Sequence, residues 1–443
     1  MNRSLTYPNT LDLFAAGIGS LLLLIFTILP ASGQSLSRVG EYQISGPYHH
    51  GALTLFLIHG KSTPHTTPFL TLEEALEQNL VTVYETGQVN ELAIENRSPD
   101  HEIFIQAGEI VKGGRQDRTL GIDLTLAPNS GKLPIASFCV EQGRWSKRGE
   151  ELDGTFSSSN MMVTSNNLRL AVRKGKDQSK VWSEVSVMQE KLSSTIGVQV
   201  AAVGSVNNIE ATRNGELQGG FVVEENAVAT ESIASSLIIP ENAQQLSANI
   251  NIQQLINPPA DQMAEQEALL QMGHLTANRV IEQDVIFQDI SSLPANSNGY
   301  STSLQLSLEN EKLAQEIDAY IEALKEVIAG HGDVIGVAFT INGEMKNADI
   351  YASSELFGRL WPKLLRAAAT EAVAEKKEGE EIIGQLDVVE RCLTDANSAE
   401  GDEEVVNYRI KVVTRESDEH ILFETQDNHY KNGWVHRNYM KLE

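Results

Sequence analysis

The sequence predicts an α+β protein with a β-rich first half, and three observations lead there. Between residues 51 and 141, short apolar or alternating runs are punctuated by Gly, Pro, Asn and Asp, the pattern of antiparallel strands joined by turns. From residue 308 the apolar positions fall at helical spacing with a wet opposite face. Beyond residue 330 strand-like alternation and a second helical stretch interleave up to residue 442.

The chain opens on a targeting segment. Arg3 gives a weakly positive start, Leu13 to Leu29 is nearly all apolar, and Ala31-Ser32-Gly33 supplies the small residues that a signal peptidase reads. Residues 1–33 are therefore expected to be a removable signal and the mature protein to be secreted or periplasmic. The alternative is an uncleaved anchor at residues 13–29, a stretch slightly short of the about 20 residues that a spanning helix needs. A membrane partner follows only in that second case. No Cys follows the apolar run, which argues against a lipoprotein.

The elements then come in order. Gly51 to Ile58 is a continuous apolar run, as expected of a strand covered on both faces. Leu72 to Gln78 reads as a short helix opened by Thr71 with Glu74 three residues on, a capping box. Leu80–Tyr84, Glu91–Glu95, Glu102–Gln106, Leu120–Ala127 and Lys132–Glu141 read as strands. Gly149 to Ser179 turns to Ser, Asn, Gly and charge and reads as a loop, and Val181 to Ser194 as a helix. Residues 196–305, rich in Asn, Gln, Ala and Ser and carrying Asn257-Pro-Pro259, read as a variable insertion between a first half at 34–195 and a second at 306–443.

In that second half Leu308 to Ile328 is a helix ended by Gly330-His-Gly332. Val334–Ile341 and Met345–Tyr351 form a hairpin across Asn342-Gly343, the strongest short hairpin signal. Ser353 or Ser354 caps a helix from Glu355 to Lys376 that contains Pro362. Val405–Thr414, His420–Thr425 and Gly433–Leu442 are the closing strands.

Charge and cysteine usage narrow the partners. A formal net charge of −26 repels a phosphate backbone, whose binding relies on Lys and Arg, so nucleic acid is a poor partner. The charge serves solubility and says nothing about the fold. Cys139 and Cys392 could pair in an oxidising compartment, yet both have apolar neighbours, and two buried thiols is the favoured reading.

Familiar motifs fail on inspection. Gly60-Lys-Ser-Thr63 follows a strand, but Leu55 stands where a phosphate loop needs its first Gly. Ile58-His59-Gly60 suggests a hydrolase oxyanion loop, yet the chain contains no G-x-S-x-G elbow. The histidines are scattered without H-E-x-x-H or C-x-x-C spacing, so no dedicated zinc site and no cofactor can be named.

The informative stretch is Gln106 to Trp145. Glu109, Lys112, Arg115, Asp117 and Arg118 crowd a glycine-rich connection, and Glu141, Arg144 and Trp145 follow the next strand. Gly108, Gly113 and Gly114 permit the close backbone approach of a ligand-lining loop. Arg118 and Arg144 are forks suited to carboxylate or phosphate, and Trp145 offers a face for stacking. The bland alternative is a turn with solvated charges and an Arg–Glu pair between strands. Acid–base work would fall to Glu109, Asp117 and Glu141; Gln116, Arg118, Cys139, Arg144 and Trp145 would bind the ligand. Cys139 as a nucleophile would need a lowered pKa from nearby cations.

These stretches, with Gly336–Gly343, Asp349–Leu365 and Trp434–Tyr439, resemble the ARG and Rhodanese-Phosphatase-superfamily-associated Protein domain family. The resemblance covers about Gly46 to Lys191 and Leu308 to Leu442. It implies one interleaved domain, its β-rich N-terminal half completed by C-terminal strands, with the helices from Leu308 and Glu355 packed on one side. The family is named for gene neighbourhoods with ADP-ribosylglycohydrolases and has no settled activity, so the resemblance implies at most a link to ADP-ribose or related nucleotides. Two functions follow as expectations: binding, or slow processing, of a small anionic or sugar-like ligand in a polar cleft, or a non-catalytic interaction role in the cell envelope.

Overall fold

Strand β3 (Leu53–His59) lies inside the largest sheet, and all seven of its residues are buried. Strand side chains alternate between faces, and β3 uses both: Leu53, Leu55 and Leu57 enter one core, Phe56 and Ile58 another. The computed structural model that shows this describes residues 35–63, 67, 69–142, 156–197, 303–379 and 381–442. The segment at 1–33 expected to be a targeting signal, nearly all of the 196–305 stretch read as an insertion, Arg144 and Trp145 lie outside the described residues.

On one edge β3 pairs with β2 (Tyr42–His50), which pairs with β1 (Ser35–Val39). On the other edge it pairs with a strand from the far end of the chain, β13 (Val334–Ile341), with Leu57 opposite Val337. The sheet continues through β14 (Glu344–Tyr351), β18 (Trp434–Lys441), β17 (His420–Asp427), β16 (Ile410–Glu416) and β15 (Gly401–Val405), nine strands, each antiparallel to its neighbour. The β-rich N-terminal half is thus completed by C-terminal strands. Asn342 and Gly343 connect β13 to β14 with φ of 50° and 80°, the left-handed pair that a tight hairpin turn requires.

Two smaller sheets share a second core. One orders β10 (Leu124–Leu126), β7 (Glu102–Ile105) and β4 (Phe69–Thr71). The other orders β12 (Phe156–Ser157), β8 (Ile110–Gly113), β9 (Arg118–Leu120), β11 (Gly131–Cys139), β6 (Glu91–Asn96) and β5 (Val81–Glu85). Ile94, Ile103, Ile105, Leu120 and Leu126 belong to the core they share. Helix α1 (Leu72–Glu77) joins it and is opened by the expected capping box: Thr71 Oγ1 accepts from the Glu74 amide at 3.3 Å, and Glu74 Oε2 accepts from the Thr71 amide at 2.8 Å.

Helices cover the large sheet. Helices α3 (Gln178–Ile196), α5 (Glu311–Leu324) and α6 (Ser354–Ala374) contribute to the core on the Leu55 face, together with the short α4 (Leu304–Leu308). The spacing of Leu313, Ile317, Tyr320 and Leu324 builds the buried stripe of α5, and a 3-10 turn, Lys325–Ile328, follows it. Ser353 caps α6, which runs through Pro362 without interruption. Helix α7 (Leu386–Ser398), which the sequence reading did not anticipate, packs Val389, Cys392 and Leu393 on the Phe56 face.

Three local expectations need correction. Leu120–Ala127 is two strands in different sheets, because the chain bends after β9 where a Cβ on Gly121 would stand 3.0 Å from the Phe138 ring. Val405–Thr414 straddles a turn between β15 and β16. The loop expected over 149–179 holds helix α2 (Asn166–Leu170), capped by Ser165, and a π-helical turn, Ala171–Gly175. Leu168, Ala171 and Val172 are buried there, an apolar anchor that the polar composition masks. Among the described residues no helix is long and apolar enough to cross a membrane.

Candidate functional site

Where the three sheets meet α2, a group of charged side chains is shut away from solvent. Asp349 points inward from β14 between Ala348 and Ile350 on the other face, the one acid in the strand's fully buried end. His436 and Asn438 project from β18 beside it, and Thr425 from β17. Asp123 sits at the bend between β9 and β10, so the break in that strand is what delivers it. Arg169 from α2 and Arg173 from the π-helical turn stand four residues apart on one helical face.

The hydrogen bonds order these groups. Both nitrogens of His436 face carboxylates: Nδ1 lies 2.9 Å from Asp123 Oδ2 and Nε2 lies 3.1 Å from Asp349 Oδ1. Asp123 Oδ2 also accepts from Arg173 Nη2 at 2.9 Å and from the Thr425 hydroxyl at 2.6 Å, while Oδ1 accepts from the Ala107 amide at 2.7 Å. Asp349 accepts from Arg169 Nη1 at 3.3 Å and from the Asn438 amide group at 2.9 Å. The Tyr351 ring covers one face of the imidazole, and its hydroxyl donates to Gln106 Oε1 at 2.8 Å.

Electrostatics follow from these contacts. Burial alone would raise the Asp123 carboxyl, but Arg173 and His436 hold it well below the usual range. Burial likewise acts against the Asp349 carboxylate, and its bonds to His436 and Arg169 outweigh that. Burial would lower His436, but the two carboxylates raise it. Ionised carboxylates only accept hydrogen bonds, so the two acids favour the protonated ring, in which both nitrogens donate.

Above this frame lies a crevice too tight to admit a water molecule, where Val163 and Val172 stand beside Gln106, Arg169, Arg173 and Asn438. Gly108 has φ of 94° and packs so closely that a Cβ would stand 2.8 Å from Val163, so the backbone itself forms that wall. Arg169 Nη2 turns to Met162 Sδ at 3.9 Å, a weak acceptor that leaves the guanidinium with donor capacity. With His436 protonated, three cationic side chains stand against two carboxylates and leave the frame one positive charge in excess.

The residues singled out in the sequence fall into two places. Glu109 belongs beside the crevice: its Oε2 accepts from the Gln106 amide at 2.9 Å, and its Oε1 accepts from Lys363 at 2.8 Å. Lys363 in turn reaches Glu73 at 3.0 Å; burial would lower its ammonium pKa, but the two acids raise it. Gln116, Asp117, Arg118, Cys139 and Glu141 gather separately along β8, β9 and β11, all buried. There Asp117 accepts from the Gly113 amide at 2.9 Å and the Ser303 hydroxyl at 2.5 Å, and the Asp117 amide donates to Glu141 at 3.5 Å. Gln116 donates to the Glu141 carbonyl at 3.0 Å, and Arg118 donates to the Val89 carbonyl and faces Glu85 at 3.6 Å. Burial pushes the Cys139 thiol up to about 11 against the pull of Arg118, which opposes a nucleophilic thiolate. Both cysteines are free and buried.

The family model of the ARG and Rhodanese-Phosphatase-superfamily-associated Protein domain matches residues 41–218 and 260–440. The chain belongs to this family. Every residue of the buried frame lies within the matched stretches of this ARPP domain, including α2 and the π-helical turn, which supply one arginine each. The match leaves only 219–259 uncovered between its two parts, inside the 196–305 stretch read as an insertion. No curated protein and no solved structure matches the chain.

Asp123, Asp349, His436, Arg169 and Arg173 were all missed as site residues. A signal for one of them exists: an acid isolated among buried apolar positions of a strand needs a buried partner, and Asp349 in Ala-Asp-Ile fits that description.

Proposed function

We propose that this ARPP domain binds one small anionic or sugar-like ligand over Arg169 and Arg173, where the closed crevice would have to open to admit it. The observation that carries this reading is the excess of donors and positive charge on the frame, with the Arg169 guanidinium turned partly to a thioether. A carboxylate or phosphate would supply the missing acceptor, and the Gln106 side chain with the Gly108 backbone would contact a polar body. The family's association with ADP-ribosylglycohydrolases favours a ligand related to ADP-ribose. The N-terminal apolar run supports export, which makes the mature protein secreted or periplasmic.

A second reading draws on the same frame. Its charges are already paired with one another, which suits a rigid interaction module of the cell envelope with an acidic surface. Thermal unfolding with ADP-ribose, ADP, ribose 5-phosphate and sugar acids separates the two. A ligand at a hundred times its Kd stabilises by about 2.7 kcal/mol, and Arg169→Gln should abolish that shift. If no compound moves the wild-type Tm, the ligand-binding reading fails and the interaction module stands.

A further inference from the structure

Away from that site, the end of β3 meets the turn before β13, and three metal-ligating side chains converge there. We infer that His59, His331 and Asp333 form a binding site for a divalent transition metal of the zinc class. Their ligand atoms all lie within 4.8 Å of one another. No spacing motif could announce the site, because His59 is brought to the other two only by the β3–β13 pairing.

The ring of His59 is held for this purpose. Its Nε2 lies 2.7 Å from the hydroxyl of buried Ser45, and its Nδ1 points at Asp333 Oδ1, 3.1 Å away. A metal-bound imidazole uses one nitrogen for the ion and the other for a fixed outer hydrogen bond, and Ser45 occupies that outer position. If Nε2–H donates to Ser45, the Nδ1 lone pair faces a carboxylate, a repulsive contact that a cation between them removes. The His331 ring stands edge-on to His59 with 5.7 Å between centroids. A His–Asp hydrogen bond at a strand end has no use for that second imidazole.

The loop can close the remaining distance. The Gly60 amide donates to the Asp333 carbonyl at 3.0 Å, which pins the turn to the strand end, while the His331 side chain is exposed and can change rotamer. Ligand bonds of about 2.0–2.2 Å need the three atoms to draw in by about an ångström. Two imidazoles and one carboxylate favour Zn²⁺, Co²⁺ or Ni²⁺ over Ca²⁺ or Mg²⁺ and leave a position for water. A second grouping, Asp395, Glu419 and His420, offers a single imidazole and serves as the control.

The test uses the full chain freed of metal by a chelator, titrated with ZnCl2 by calorimetry and with CoCl2 by visible absorption. One equivalent of each ion should bind. His331→Ala and Asp333→Asn should each weaken binding at least tenfold, and His331→Ala should leave the metal-free Tm where it is. Ser45→Ala should weaken it about 10–100-fold by freeing the ring, and His420→Ala should change nothing. Absence of saturable binding, or binding unchanged in both loop variants, would overturn the site.

Discussion

The rings of Tyr351 and His436 lie nearly parallel, tilted by 9° with 4.6 Å between their centroids. This stack fixes the plane in which His436 meets Asp123 and Asp349, so an apolar surface orients a charged centre. Tyr351→Phe keeps the stack and leaves Gln106 Oε1 without its donor, which should cost about 1–3 kcal/mol. Tyr351→Ala also removes the ring and should cost more, about 3–5 kcal/mol. Urea unfolding of both variants checks the ordering. Equal losses would show that the hydroxyl, not the stack, holds the centre.

Acidity and stability are linked through the same groups. Asp123 and Asp349 titrate below their ordinary 3.8 in the fold, so their contribution is present above that pH and fades as pH falls through the folded values. His436 titrates above 6.5, so its contribution is complete below 6.5 and is lost as pH rises through the folded value. The three together contribute fully between those two limits.

Glu371 adds a separate slope. Burial raises its carboxyl from 4.5 to about 7, although the Asn166 amide, donating at 2.8 Å, works against this. The folded state therefore holds more protons than the unfolded state across that interval, and stability falls as pH rises through it. The accumulated effect is roughly 3 kcal/mol. Glu371→Gln should flatten the decline, as measured by denaturant unfolding at pH 4.5 and 7.5. Parallel pH profiles for variant and wild type would contradict this assignment.

Lys363 bridges two acids, and its removal exposes the difference between making and breaking a buried pair. Lys363→Met should cost about 3–5 kcal/mol because Glu109 is left charged and buried. Adding Glu109→Gln should recover part of that loss. No recovery in the double variant would mean that the lysine stem's packing dominates.

The pairing of β3 with β13 makes the N-terminal half dependent on the rest. A fragment ending near Ser194 keeps β1 to β12 yet leaves one edge of β3 open. It should remain unfolded or aggregate. A well-dispersed NMR spectrum from the fragment would refute the dependence.

Much of this architecture was written locally. The Asn342-Gly343 turn, the Thr71–Glu74 box, the doubly covered β3 and the stripe of α5 each rest on a few adjacent residues whose preferences agree with the fold. The site was not local. Asp349 and His436 are joined only by the β14–β18 pairing, Asp123 reaches them from a connection between two other sheets, and Arg169 and Arg173 come from a stretch whose Ser and Asn suggested a loop. The richly charged Glu109–Arg118 segment drew attention because its charges are dense along the chain. In the fold Asp117 and Arg118 bond inward along β8 to β11, and only Glu109 reaches the crevice wall.

The β3–β13 seam also dictates when the protein can fold. During synthesis at about 5–20 residues per second, the free edge of β3 waits tens of seconds for β13 to emerge. Contacts this distant in sequence slow folding even after the chain is complete. The nascent N-terminal strands are therefore natural clients for chaperones until β13 arrives to cover them.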